Sequence, residues 1–242
     1  MILTYRTFDD PLSFIDIGLW CFAIFTLFFI HTYTMYRITL YKGDATELQR
    51  RNAFTWAIAF MLLGLANLIN LIWRYTIESH FHRVVLDNFA TLFVNLAVFI
   101  KILHTEYTIN RYEFYKGYYF SIATSCQSIF TFIVTPEAIR EVFMLQTIYL
   151  ILLTAGTLIF PGIFLYLAIR LKGEERRKAI IILIGVLFFS IGLLFQPHNI
   201  EPFLKEYNIM FADSIYNLFL ILCPIFTFLA TIVIFSSYIR AL

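Results

Sequence analysis

Two stretches of this chain hold a single charged residue each across lengths that would cross a lipid bilayer. Ser13 to Met35 contains only Asp16, and Met210 to Tyr238 contains only Asp213. A helix rises about 1.5 Å per residue, so a hydrocarbon core of roughly 30 Å takes about 20 apolar residues to span. Five further apolar segments run approximately from Ala53 to Trp73, Leu86 to Glu106, Gly117 to Val134, Met144 to Ile169 and Ala179 to Phe195. Within hydrocarbon a spanning segment must satisfy its own backbone hydrogen bonds, which predicts helices. The continuous apolar runs also lack the alternation of a membrane barrel. The composition agrees: 60% of the 242 residues are hydrophobic, 14% are charged, and the mean hydropathy is +0.78. A soluble domain has about 45–50% apolar and about 25% charged residues. The expectation is an all-α membrane protein, with residues 1–242 forming one seven-helix bundle.

Orientation follows from the basic residues, which concentrate on the cytoplasmic side of membrane proteins. Arg37, Lys42, Arg50, Arg51, Lys101, Arg111, Lys116, Arg170, Lys172, Arg176, Arg177, Lys178 and Arg240 fall on one side of the seven-segment arrangement. Only Arg6, Arg74, Arg83, Arg140 and Lys205 fall on the other. This predicts an external N-terminus and a cytoplasmic C-terminus. The opening MILTYRTFDD is followed by no small-residue cleavage site, so the first helix is expected to act as the insertion signal. The connections are short, so signalling chemistry or ATP use would have to come from another polypeptide.

Several functions are disfavoured at this level. Eighteen basic residues against sixteen acidic ones give no bulk basicity, so nucleic acid is not an expected partner. Cys21, Cys126 and Cys223 are unclustered and sit in apolar runs, where a thiol behaves as a small hydrophobe. His80, His82 and His198 lack the spacing of a closed zinc site. The last apolar segment has no lysine to form a retinal Schiff base. No serine elbow, HExxH or phosphate-binding loop is present either. The expectation is a protein without enzymatic activity, cofactor or metal.

The chain carries an internal echo. A shift of 126 residues places Arg50, Arg51 and Ala53 on Arg176, Arg177 and Ala179, and Asp87, Leu92, Phe93 and Leu96 on Asp213, Leu218, Phe219 and Leu222. Two readings stand. One is a parallel duplication of three helices about a linking fourth; the other is coincidence in a biased composition with shared topogenic charge.

Polar side chains inside a bilayer are costly and usually have a reason. Asp16, Asn67, Asn70, Asp87, Asn88, Asp213 and Asn217 all lie toward the predicted outer ends of their helices. Converging helices would make them an outward-open vestibule for a ligand; otherwise they are wet interfacial residues. Deeper in the third segment, Asn95 suits a bond to a neighbouring helix. Lys101 and His104 suit snorkelling to the cytoplasmic interface or a proton relay. Ser121, Thr124, Ser125, Ser128 and Thr131 form a small polar stripe suited to close helix packing. Pro161 and Pro224 should kink their helices. The tyrosines of EYTINRYEFYKGYYF suit an interfacial aromatic belt. Tyr112 and Tyr115, with Arg50, Arg51, Arg176, Arg177 and Lys178, would be the residues of a cytoplasmic docking face.

The run RLKGEERRKAIIILIGVLFFSIG, a basic turn leading into a glycine-punctuated helix, resembles the seven-helix sensor region of membrane histidine kinases. That resemblance implies a sensor or receptor-like module acting through a separate cytoplasmic partner. The helix order and topology also resemble seven-helix sugar transporters of the PQ-loop type, although no Pro-Gln pair occurs in the first or fifth segment. Three functions therefore stand as expectations: a sensor, a small-solute transporter built from duplicated halves, and an accessory subunit of a membrane complex. Each has the lipid bilayer as its first partner.

Overall fold

The apolar runs fold as helices whose ends reach past the apolar residues into the flanking polar turns. A computed structural model describes residues 11–40, 46–76, 80–111, 117–133, 158–194 and 212–239. Seven helices lie among them: α1 (Pro11–Leu40), α2 (Glu47–Thr76), α3 (His80–Arg111), α4 (Tyr119–Ile133), α5 (Leu158–Arg170), α6 (Gly173–Leu194) and α7 (Ala212–Tyr238). The described residues contain no strand. Four helices, α1, α2, α3 and α7, contain stretches long and apolar enough to cross a membrane.

Capping explains the extra length. Ahead of α2, the Thr46 amide donates to Gln49 Oε1 at 2.8 Å and the Gln49 amide donates to Thr46 Oγ1 at 3.3 Å. This reciprocal pair is a capping box, and it starts the helix six residues before the apolar run expected from Ala53. Between α3 and α4, Glu106 takes the cap's role from a distance. Its carboxylate accepts from the amides of Phe120 (2.9 Å) and Ser121 (3.0 Å) and from the Ser121 hydroxyl. The first-turn amides of α4 would otherwise be orphaned, and a carboxylate suits the positive end of that helix. The α5–α6 connection turns at Gly173, whose φ of +60° is a conformation that favours glycine.

α1, α3, α5 and α7 end where α2, α4 and α6 begin, and that end carries Arg50, Arg51, Arg170, Arg176, Arg177 and Lys178. It is the basic end; the other is the far end. Neighbours pack in the order α4, α3, α2, α1, α7, α6. α5 is drawn into the same core, with Phe160 against Trp56 at a ring separation of 6.2 Å. Glycines permit the closest approaches. A Cβ at Gly185 on α6 would lie 2.5 Å from Ile234 Cγ1 on α7, and one at Gly64 on α2 would lie 3.1 Å from the Phe28 ring on α1. The pairs α2–α3 and α6–α7, equivalent under the 126-residue shift, are both extensively packed, and α2 and α6 begin at positions that match under it.

The core is apolar, yet many large apolar side chains also face outward and three charges lie inside. Phe25 and Ile169 are 67% and 71% exposed, whereas Asp16, Lys101 and Glu106 are at most 1% exposed. Large apolar groups outside and charges inside are stable only where the surrounding medium is itself apolar. The fold is that of a helical membrane protein.

Candidate functional site

The buried charges sort into two clusters at different depths. At the far end, α1 carries Asp16 opposite the last turn of α2. Arg74 Nη1 donates to Asp16 Oδ2 at 3.2 Å, and the Tyr75 hydroxyl donates to the same oxygen at 2.5 Å. The Arg74 guanidinium also lies 5.9 Å from the centre of the Trp20 ring. Next to this pair, Trp73 Nε1 donates to Asn70 Oδ1 at 2.9 Å. Ser13 Oγ, Asp16 Oδ1 and Trp20 Nε1, on one face of α1, are buried without hydrogen-bond partners.

Asp16 is fully buried, and one of its oxygens is bonded twice within the protein. Asn67 and Asn70 are buried as well. Asp87, Asn88 and Asn217 are half-buried on α3 and α7, and Asn217 has a further contact within the protein. Asp213 belongs to α7, and its side chain lies outside the described residues.

Toward the basic end, Lys101 of α3 is 1% exposed, deep between α2 and α3. Its ammonium donates to Asn52 Oδ1 at 2.9 Å and Thr55 Oγ1 at 3.1 Å, and lies 4.2 Å from the centre of the Trp56 ring. No carboxylate among the described residues pairs with it. Snorkelling does not describe this side chain, because it reaches sideways to α2 and stays out of solvent. A void of about 20 Å³, room for about one water, borders Lys101 and Trp56 on one side.

A larger space lies beyond Asn52, with Lys101 and Trp56 themselves set behind its wall. A cavity of about 730 Å³ occupies the basic end, walled by α2, α3, α5, α6 and α7. Asn52, the acceptor from Lys101, is part of its wall, as are His104, Thr105 and Thr108 one or two turns further along α3. Phe164 and Leu167 of α5 and Ile182 of α6 give it an apolar side. Arg170, Glu175 and Lys178 also line it. Lys178 donates to Glu175 at 3.0 Å and pairs with Glu174 at 3.2 Å; the Glu175 bond is the main reason its ammonium is held above the ordinary lysine range. The back wall is closed by Tyr238, which bonds Thr34 of α1 at 3.2 Å and stacks on Trp56.

No family model, no curated protein and no solved structure matches this chain. Its site therefore has to be read from its own residues.

Of the expected docking residues, Lys178 lines the cavity. Arg51 is ion-paired with Glu47 at 2.9 Å, Arg50 is half-buried with contacts of its own, and Arg176 and Arg177 are exposed on the first turn of α6. Tyr112 and Tyr115 lie outside the described residues. The α4 stripe is a packing face: Ser121 and Thr124 are buried, and Thr124, Ser125 and Ser128 bond back to carbonyls one turn earlier. No group of histidine, cysteine and acidic residues among those described is arranged to hold a metal. Sequence reading missed Asn52, Thr55 and Trp56. Their only signal is position: each lies one helix turn or less from the others on α2, and the polar pair brackets no recognisable motif.

Proposed function

We propose that this chain is a small-solute carrier of the cell membrane, crossing the bilayer seven times with an external N-terminus and a cytoplasmic C-terminus. The cavity at the basic end carries this reading. Its volume falls within the roughly 300–1,000 Å³ common for small-molecule sites, and it combines one apolar side with a few polar groups. With the basic end cytoplasmic, the side that the charge asymmetry favours, the cavity opens inward. The Asp16–Arg74–Tyr75 cluster then ties α1 to α2 toward the outer side. A cavity at the inner end suits a carrier resting in an inward-facing state, with two three-helix units that rock about the site between them. The 126-residue echo and the matched α2–α3 and α6–α7 pairs support such a division. A sensor would act through its cytoplasmic surface and has no need of a deep cavity there, so the carrier reading ranks ahead of it.

The test is reconstitution of the purified protein into liposomes preloaded with a mixture of small organic metabolites, followed by mass spectrometry of what leaves. Loss of a defined subset, absent from protein-free liposomes, is the expected result. Retention of every component alike would overturn the proposal.

A further inference from the structure

We infer that the cargo is a small organic monoanion and that Lys101 is the group that binds its charge; this deepens the carrier reading and rests on it. Burying an ammonium in an apolar interior is expensive unless an opposite charge or a full set of hydrogen bonds offsets the cost. The contrast inside this molecule is direct. Asp16, equally buried, has Arg74. Lys101 has two neutral oxygens and the face of Trp56, and the described residues supply no anion.

The surroundings are built to let an anion complete the site. Asn52 is half-buried on the cavity wall, so its amide can yield Lys101 Nζ to a carboxylate arriving from the cavity. Thr55 Oγ1 and the Trp56 face stay behind to hold the ammonium in place. One cation matches one negative charge, which selects monoanions. The cavity far exceeds the volume of a simple ion, and the apolar side formed by Phe164 and Leu167 suits a hydrocarbon body.

Trp56 makes the proposal measurable without the natural cargo. Trp20, Trp56 and Trp73 are the three tryptophans, so Trp20→Phe with Trp73→Phe leaves Trp56 as sole emitter beside Lys101 Nζ. Iodide, an anionic heavy-atom quencher, serves as the probe, and caesium is its cationic counterpart. The full-length protein in lipid nanodiscs should show saturable quenching by iodide and only weak, linear quenching by caesium at matched ionic strength. Lys101→Gln should weaken the iodide affinity at least tenfold, and Lys101→Arg should restore most of it. Iodide quenching no stronger than caesium quenching in the parent would overturn the inference, and that comparison holds even if Lys101→Gln fails to fold. An iodide curve unchanged by Lys101→Gln would overturn it as well. Solute flux without iodide binding would sink the anion site and leave the carrier standing; saturable iodide binding without flux would keep the anion site and sink the carrier.

Discussion

Asp16 and Lys101 are both buried charges on membrane helices, and the protein treats them in opposite ways. At the far end the carboxylate is matched within the chain by Arg74 and Tyr75, joining α1 to α2. Toward the basic end the ammonium has only dipoles and a ring, and a cavity of about 730 Å³ lies next to its amide partner. A charge neutralised internally holds helices together. On the carrier reading, a charge left without an opposite, whose amide partner stands on a cavity wall, is a place for an anion that arrives from outside. Both charges are equally buried, and what differs between them is the partner.

The comparison predicts unequal responses to mutation. Arg74→Ala should be the more damaging change, because it strands the Asp16 carboxylate in the interior. Removing one member of a buried pair costs about 3–5 kcal/mol; Arg74 retains some solvent access, which places the loss near the low end, at about 3 kcal/mol. Reversible SDS unfolding in mild-detergent micelles would measure it. A loss under about 1 kcal/mol would mean that Asp16 is not held by its arginine.

Lys101→Met should show the smaller effect. It removes an unneutralised buried cation and keeps a long, flexible apolar stem, while Asn52 stands on the cavity wall and can turn to water there. The same unfolding assay should give a change of less than about 1 kcal/mol in either direction. A loss as large as that of Arg74→Ala would make Lys101 a structural strut and erase the distinction between the two ends.

The helical spans were legible because an uninterrupted apolar run has few other solutions. Their boundaries were less so. Thr46 and Gln49 form a capping box in a stretch that reads as loop by hydropathy alone, and Glu106 caps a helix that starts thirteen residues later in the chain. The site was legible only in part. Lys101 and Asp16 stand out as charges in apolar segments, but their roles depend on partners 49 and 58 residues away, which no local pattern specifies. The cavity at the basic end was not legible, because Asn52, His104 and Thr108 are spaced among ordinary helix-end residues.

The central claim is that the cavity at the basic end opens to the cytoplasm. It is tested most directly by a single cysteine at Thr108, on the cavity wall, with Cys21, Cys126 and Cys223 replaced by alanine. A membrane-impermeant maleimide should label that cysteine in inside-out vesicles and leave it unmodified when added to intact cells. Labelling from the cell exterior, with protection in inside-out vesicles, would contradict the account.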